Sequence, residues 1–250
     1  MTALERSAAA EAPLFVHRNE IGRSYRGLPV LAAPGVHEFI AGWLHANRPH
    51  DAPVLEVGAG TGALTARLMD RGFEVVPVDS QPAPFTRCCP AFVQVDFNDP
   101  HWTRSLPEPA FETVVAAEII AHLENPRKLI RDLFTACAPG GEAVVTTPNV
   151  LCASSLAGFL RRGRFYGFDP QAREAAGQIS ILPWWLIDDF AREAGFAETE
   201  ILFIGDLERP WWKKPLLRLA DSTLRRLRHE PDPVSGCGNV VMVRMRKGMG

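Results

Sequence analysis

The segment VLEVGAGTGAL, residues 54–64, constrains the fold more than any other part of this sequence. It runs from an apolar stretch into three alternating glycines, Gly58, Gly60 and Gly62. A glycine-rich turn after a buried strand is typical of a nucleotide site, because glycine lets the backbone approach the ligand closely. No lysine follows the glycines, so the loop does not match the GxxxxGK[ST] phosphate loop of nucleoside-triphosphate sites. The dinucleotide pattern GxGxxG stays open, since alanine, here Ala63, is tolerated at its third glycine.

Strand-like and helix-like segments alternate on both sides of this loop. The strand-like segments are apolar and β-branched, which is typical of a parallel sheet buried on both faces. Alternation of this kind predicts an α/β, doubly wound fold. Past residue 149 the pattern changes, and the chain ends in a strand, a helical connection and a second strand. Strands are predicted over 53–57, 73–79, 91–96, 111–118, 142–149, 196–205 and 238–247, and helices over 34–47, 62–72, 124–141 and 183–195.

Size and composition predict one globular domain. The chain has 250 residues, of which 46% are apolar and 22% charged, enough to bury a sizeable core. Residues 1–30 are expected to form a disordered or loosely packed leader, because the first residues carry Glu5 and Glu11 and lack the apolar region of a signal peptide. Residues 31–250 form the single predicted domain, in which 150–183 is expected to be a loop-rich cap over the sheet edge.

Charge, hydropathy and cysteine usage narrow the environment and the partners. The net charge of −2 gives no general attraction to nucleic acid, so no nucleic-acid partner is expected. No run approaches the roughly 20 apolar residues of a membrane span. The five cysteines form no CxxC pair, which favours a reduced, cytoplasmic setting.

Three acidic residues surround the predicted loop. Asp79 ends the second strand, where a carboxylate accepts from the ribose hydroxyls of NAD or of an adenosyl cofactor. Asp96 ends the third strand beside Phe97, a place suited to the amino group of adenine. Glu56 lies just before the glycines, where an acid repels a pyrophosphate but attracts a cofactor that carries an ammonium and a sulfonium. A strand-end cap at Asp79 and an Asx turn at Asp96 are the structural alternatives.

In these motifs the sequence resembles the class I S-adenosylmethionine-dependent methyltransferases. VLEVGAGTG stands at the first motif of that family, VVPVD at the second, QVDFND at the third, and FETVVAAE to VVTTPN covers the fourth and fifth strands. The resemblance is close over residues 52–149 and looser over GQISILPWWLIDDFAREAGF, and it points to the branch of ubiquinone-biosynthesis O-methyltransferases and glycan-cluster methyltransferases. It implies a Rossmann-like, mostly parallel seven-stranded sheet with helices on both faces and a terminal antiparallel strand.

The resemblance also implies the cofactor, S-adenosyl-L-methionine, and the reaction. The loop then faces methionine and ribose, with no phosphate involved. The methyl group would go to an acceptor, expected to be a hydroxyl of a small molecule or of a glycan or lipid-linked intermediate. The cofactor-binding residues expected from this resemblance are Glu56, Gly58, Ala59, Gly60, Gly62, Asp79, Ser80, Asp96, Phe97, Ala117 and Glu118.

The segment EIIAHLENP follows the fourth predicted strand, at the sheet edge where ligands of open α/β sheets lie. His122 is the predicted catalytic base for a hydroxyl acceptor, because an imidazole titrates near neutral pH; the alternative is a local hydrogen bond at a helix start. The resembled branch has the pattern ExxEH, and Ala121 replaces its second acid. One acid, Glu118, and one histidine seldom suffice for Mg²⁺, so no metal is predicted.

Three further segments bear on the acceptor. The branch's GHI triplet is Gly177-Gln178-Ile179 here, so Gln178 replaces a histidine that helps to cover the acceptor. RRGRFYGF, residues 161–168, either grips an anionic or sugar-bearing acceptor or forms a solvated basic loop. WWKKPLLRLADSTLRRLRH, residues 211–229, is either a connector helix with its leucines on the sheet or a peripheral membrane contact.

Two other functions stay open on the sequence. An NAD(P)-dependent oxidoreductase is compatible with the loop and Asp79, but it leaves Glu56 and Asp96 without a role. A catalytically silent S-adenosylmethionine-binding partner subunit would explain the departures at Ala121 and Gln178.

Overall fold

The computed structural model describes most of the predicted domain. The described residues are 23–83, 89, 91–107, 110–168, 170, 177–204, 219, 220, 222–224, 226 and 238–249. Most of the predicted leader and of the 211–229 segment lies outside them, as does part of the predicted cap.

The described elements alternate much as the sequence predicts. In chain order they are β1 (Ser24–Tyr25), β2 (Leu28–Pro29), α1 (Val36–Asn47), β3 (Val54–Val57), α2 (Ala63–Asp70), β4 (Val75–Asp79), β5 (Val93–Gln94), a 3₁₀ turn (Trp102–Ser105), β6 (Phe111–Ala116), a second 3₁₀ turn (Ile120–His122), α3 (Pro126–Ala136), β7 (Cys137–Pro148), α4 (Ala153–Arg162), α5 (Trp184–Ala194), β8 (Phe196–Ile204) and β9 (Val240–Lys247).

Seven strands form one sheet in the order β5-β4-β3-β6-β7-β9-β8. The pairs from β5 through β7 are parallel, and β9 runs antiparallel to both β7 and β8. One apolar cluster joins β3, β6 and β7 to α3 and α5, and a second joins the other face to α1 and α2. These observations confirm the predicted fold class: a Rossmann-like, mostly parallel seven-stranded sheet between helices, with an antiparallel strand near the chain's end.

The strand order explains where ligands can bind. The chain leaves β3 toward one side of the sheet, to β4 and β5, and later crosses to β6 and β7 on the other side. In doubly wound sheets the crevice lies at this switch point, outside the carboxyl ends of the strands. The loops after β3, β4 and β6 therefore meet at one edge.

The helix predicted over 124–141 ends earlier, at Ala136, and β7 begins at Cys137. Pro139 cannot continue a helix. The Lys247 ammonium caps the end of α3 by donating to the carbonyls of Phe134 and Cys137 at 2.8 Å each. Pro139 marks a helix end in the local sequence, whereas the contact with Lys247, far along the chain, could not be predicted from it.

Two segments are more regular than the sequence predicts. Residues 24–29, placed in the leader, form a hairpin in which Ser24 pairs with Pro29. The segment 150–183, predicted as loop-rich, contains helix α4, which ends where Gly163 takes a φ of 69° and donates to the Phe159 carbonyl at 2.7 Å.

Candidate functional site

The glycine loop between β3 and α2 requires glycine at its three alternating positions. Gly58, Gly60 and Gly62 have φ values of 79°, 53° and 83°, in the left-handed region that glycine tolerates. At Gly58 a Cβ would also lie 2.7 Å from the Cβ of Ile119, in the turn after β6. The Gly58 and Ala59 amides donate to the Val78 carbonyl at 2.9 and 3.1 Å. The loop is thereby fixed against the ends of β4 and β6.

Asp79, the last residue of β4, orders the loop through direct hydrogen bonds. Its Oδ2 accepts from the Gly60 amide at 2.8 Å, and its Oδ1 accepts from the Gln81 amide at 3.0 Å. Ser80 is exposed, and its hydroxyl lies 3.5 Å from Oδ1. The partly exposed carboxylate is therefore both a cap of its own strand end and a fixed acceptor beside the glycines, as a ribose contact requires.

Asp96 and Phe97 lie at the adjacent strand end in different environments. Asp96 is exposed, and its Oδ1 accepts from the Asn98 amide at 2.9 Å in the Asx geometry that the sequence offered as an alternative. The Phe97 ring is buried and packs edge-on against Trp102, with ring centroids 5.4 Å apart. Its carbonyl accepts from Lys128 at 3.1 Å. The Phe97 ring thus belongs to the core, and its adenine contact stays a prediction.

Glu56 lies beneath the loop, within β3, and is only 2% exposed. Its Oε2 accepts from the Thr65 hydroxyl of α2 at 2.5 Å. Burial raises the pKa of the Glu56 carboxyl to about 8, with a smaller contribution from the nearby Asp79 charge, although the Thr65 hydrogen bond opposes the rise. Its described partner is the helix rather than the open cleft, and its contact with the cofactor stays a prediction.

Glu118 follows β6 at the switch point and carries the clearest mark of a ligand contact. It has a φ of 59°, a left-handed conformation that glutamate rarely adopts. Its amide donates to the Thr146 hydroxyl at 3.0 Å, whereas its Oε1 is buried and makes no hydrogen bond. Burial raises the pKa of this carboxyl to about 7, although a side-chain hydrogen bond with Thr146 opposes the rise. Ala117, just before it, is partly buried in the same turn.

A strained backbone and an unpaired buried oxygen are both costly, and both recur at functional sites. The Glu118 oxygen fits an ammonium donor such as the amino group of a bound S-adenosylmethionine. The glycine loop supplies a surface without side chains beside it, and Asp79 supplies a fixed acceptor for ribose. The residues present therefore fit the cofactor that the sequence implies.

His122 ends the 3₁₀ turn four residues after Glu118, and a separate segment holds that turn in place. The Ala121 carbonyl accepts from the amides of Ile179 and Ser180 at 2.8 and 2.9 Å. The Ser180 hydroxyl donates to the Leu123 carbonyl at 2.8 Å. Burial lowers the pKa of the half-buried His122 imidazole, and a hydrogen bond to the Gly177 backbone partly offsets this. His122 is thus a fixed imidazole held in its neutral form.

Gln178 is buried at its Oε1, which makes no hydrogen bond. That oxygen lies 3.0 Å from the position of a Cβ at Gly167, and Pro148 at the end of β7 lies 3.6 Å from the same position. The amide that replaces histidine in the triplet therefore sits under the cap at the carboxyl end of β7. The sequence indicated the substitution but not this neighbour.

The hairpin β1–β2 contacts the glycine loop, which sequence reasoning missed. The Thr61 hydroxyl donates to the Pro29 carbonyl at 2.5 Å. The Arg67 guanidinium lies over the Tyr25 ring, 4.1 Å from its centroid. Leu31 is 75% exposed, and its Cδ1 lies 3.6 Å from the position of a Cβ at Gly60. No local periodicity marks a two-residue strand, so only tertiary contacts reveal this element.

The described residues contain neither a metal-binding group nor a membrane-spanning helix. Within that part of the chain, no three His, Cys, Asp or Glu side chains are grouped so as to hold a metal ion. None of the helices there is long and apolar enough to cross a membrane.

Comparison with known proteins identifies the class. A family described as "Methyltransferase domain" matches residues 30–197. This chain belongs to that methyltransferase family. The family and the fold confirm S-adenosylmethionine as the predicted cofactor.

Individual relatives are distant. The chain is 25% identical over 132 residues to the ubiquinone biosynthesis O-methyltransferase of Rickettsia typhi, covering 51% of this chain and 54% of that protein. It is 26% identical over 160 residues to the demethylmenaquinone methyltransferase of Tropheryma whipplei, covering 58% and 66%. The chain thus spans about half to two thirds of the length of these curated relatives.

Solved structures agree on the fold. A SAM-dependent methyltransferase from Archaeoglobus fulgidus superimposes with a TM-score of 0.55 at 17% identity, covering 84% of this chain and 94% of that one. The CurJ carbon methyltransferase superimposes with a TM-score of 0.51 at 14% identity, covering 85% and 53%. At such identities the likeness concerns architecture alone.

Proposed function

We propose that this chain transfers the methyl group of S-adenosylmethionine to a hydroxyl oxygen of a small molecule or of a glycan or lipid-linked intermediate. The observation that carries the proposal is the half-buried imidazole of His122 after β6, four residues along the chain from Glu118, whose Oε1 is buried without a hydrogen bond. The family match favours this function over the dinucleotide oxidoreductase that the glycine loop alone permits.

The cofactor, when bound, supplies an electrophilic methyl group on a sulfonium. Glu118 would hold its ammonium, Asp79 its ribose hydroxyls, and the main chain from Gly58 to Gly62 its methionine and ribose. Asp96, Phe97 and Ser80 would frame the adenine and ribose, and Glu56 would support the loop from below. The chain's contribution is therefore mainly to position the reactants in line and to exclude water.

His122 would remove the proton of the acceptor hydroxyl. Burial lowers the pKa of its imidazole, so the base form is populated at neutral pH. In a neutral imidazole one ring nitrogen donates and the other accepts. If the donating nitrogen serves the Gly177 carbonyl, the other nitrogen remains to take the acceptor proton. Gln178, under the cap, would replace a second histidine as a polar group beside the acceptor.

The proposal is tested by incubating the purified chain and labelled S-adenosylmethionine with extracts of its native cell, and by identifying the labelled product. We expect label in a product whose methyl group is bound to oxygen. The matched control is the Asp79→Ala protein, which at limiting cofactor should add much less label than the wild type above the background of the extract alone. Label on carbon or nitrogen would overturn the hydroxyl acceptor. Cofactor binding without labelling, restored by a copurifying protein, would favour a silent partner subunit.

A further inference from the structure

Helix α4 presents an unusual distribution of side chains. Its buried positions are small residues, Ala153, Ser155 and Gly158. Leu156 is partly buried, but two other large apolar residues are exposed, Phe159 at 43% and Leu160 at 85%. A helix that serves only to pack on the domain would bury its large apolar side chains. Exposed apolar side chains at adjacent positions indicate a surface with another partner.

Positive charge surrounds these apolar residues. Arg161, Arg162 and Arg164 are all exposed. The sequence from residue 150 to residue 168 contains no aspartate or glutamate to offset them. The first two arginines lie in the last turn of α4, where cations are favoured by the helix dipole. This segment is therefore basic as far as residue 168, and Asp169 follows it directly.

The turn after α4 folds back onto the helix and completes the surface. The Phe165 ring stacks on Phe159, with centroids 4.5 Å apart and planes 10° apart. The Tyr166 amide donates to the buried Ser155 hydroxyl at 3.0 Å, while Tyr166 itself is 43% exposed. We define the cap patch as Phe159, Leu160, Arg161, Arg162, Arg164 and Tyr166.

The cap patch lies next to the acceptor side of the proposed site. Gly167, one residue after Tyr166, packs against the Gln178 amide and against Pro148, at the carboxyl end of β7. An acceptor that enters between the cap and the sheet edge would pass this surface.

We propose that the cap patch docks on an anionic phospholipid surface and so brings the site to an acceptor held in that surface. Interfacial segments combine two kinds of residue. Leucine and aromatic side chains enter the headgroup boundary, and flanking arginines bind the phosphates. Guanidinium groups also bind phosphate oxygens in pairs. The inference rests on the proposed function only for the placement of the acceptor, since lipid binding itself requires no turnover.

The test is co-sedimentation of the full chain, loaded with S-adenosylhomocysteine, with two kinds of vesicle. One kind is pure phosphatidylcholine, and the other contains phosphatidylglycerol in phosphatidylcholine. We expect binding to the anionic vesicles that weakens as salt rises. Leu160→Ser should weaken binding to the anionic vesicles. The double variant Arg161→Gln with Arg164→Gln should reduce the partition coefficient by more than about tenfold, because each basic residue near an anionic surface contributes to the binding free energy.

Matched variants separate the patch from general charge and hydropathy. Met69→Ser and the double variant Arg104→Gln with Arg131→Gln also alter exposed side chains but lie outside the cap patch, and they should bind as the wild type does. The proposal would be overturned if the patch and control variants lost vesicle binding equally, or if the wild type showed no preference for anionic vesicles. It would also be overturned if the patch variants lost binding to an RNA oligonucleotide but still bound the vesicles. Titration of S-adenosylhomocysteine into each variant reports on the cofactor site separately, so a failure there concerns the proposed function and not the lipid surface.

Discussion

At the scale of single residues, Glu118 combines a strained backbone with a buried and unpaired carboxylate oxygen. Its pKa is raised from 4.5 to about 7, so the folded protein binds a proton there that the unfolded chain releases. The free energy of unfolding therefore falls as pH rises from about 4.5 to 7. Above about pH 7 the full loss of stability from the ionised Glu118 is present. Ionised Glu118 therefore destabilises the protein when no ligand donates a hydrogen bond to its carboxylate.

Glu118→Gln is expected to stabilise the cofactor-free protein at pH 8, on the order of 1–3 kcal/mol, and to change little near pH 4. The reason is that glutamine removes a buried charge which is present only at the higher pH. Urea unfolding at both pH values measures the effect, with the exposed Glu112→Gln as the control. A variant less stable than the wild type at pH 8 would contradict this interpretation.

The same substitution should weaken S-adenosylhomocysteine by about 10- to 100-fold, since a charge-assisted contact to the ammonium is lost. Wild-type affinity should also decline as pH falls below about 7, by at most tenfold per unit, because the carboxyl must first release its proton. The variant's affinity should not follow that decline. Calorimetric titration from pH 5.5 to 8 shows whether the two curves differ.

His122→Ala should lower kcat by roughly 10²- to 10⁴-fold, the usual contribution of a general base. The affinity for S-adenosylhomocysteine should hardly change. Since burial lowers the pKa of this imidazole, wild-type kcat should fall only at pH values below the ordinary histidine range. Turnover with the identified acceptor is measured beside the exposed His101→Ala control. Normal turnover in His122→Ala would leave positioning alone as the mechanism.

Asp79→Asn should weaken S-adenosylhomocysteine by about 10- to 100-fold and lower the melting temperature of the empty protein slightly, because its one amide oxygen can replace only one of the two oxygens that accept from Gly60 and Gln81. An amide oxygen still accepts from the Gly60 N–H, but it carries no charge for the ribose hydroxyls. Asp79→Ala removes that acceptor, and since the carboxylate also accepts from Gln81, it should cost about 1 kcal/mol of stability. Equal binding by wild type and Asn variant would exclude Asp79 as the ribose contact.

At the scale of elements, the glycine loop and helix α1 contain glycines with opposite requirements. Gly58 has a positive φ and faces Ile119, whereas Gly42 lies within α1 with open space around it. Gly58→Ala should therefore destabilise the protein by about 1–3 kcal/mol. Gly42→Ala should stabilise it by about 0.5–1 kcal/mol, because alanine is the better helix former. Chemical unfolding of the pair tests both signs, and a neutral Gly58→Ala would show that the loop geometry is not required.

The order of the elements could be predicted from sequence because the strands are apolar runs. Three of the predicted strands also end at or beside a recognisable residue, namely Gly58, Asp79 or Asp96. Parallel strands bring such ends to one edge, so adjacency in the fold follows from the pattern. The last residue of α3 could not be predicted from Pro139 alone, since Lys247, about a hundred residues away, binds the carbonyls at that end. The hairpin contact at Thr61 and the Gln178 amide under Gly167 likewise join distant segments that no local periodicity relates.

At the scale of the whole molecule, the sheet brings the glycine loop, the orphan carboxylate of Glu118 and the fixed imidazole of His122 to one edge. Helix α4, in the segment after β7, has an exposed apolar and basic surface. The family match covers the core of this arrangement, residues 30–197. The two curated relatives described above have different names, one a ubiquinone biosynthesis O-methyltransferase and the other a demethylmenaquinone methyltransferase, and a shared fold does not by itself define an acceptor.

The central claim is that the glycine loop serves an adenosyl cofactor and not a dinucleotide. Isothermal titration of the purified chain with S-adenosylhomocysteine and, separately, with NAD tests it directly. We predict saturable binding of one S-adenosylhomocysteine per chain, weakened in Asp79→Asn and Glu118→Gln, and no measurable binding of NAD. Tighter binding of NAD than of S-adenosylhomocysteine would contradict the account.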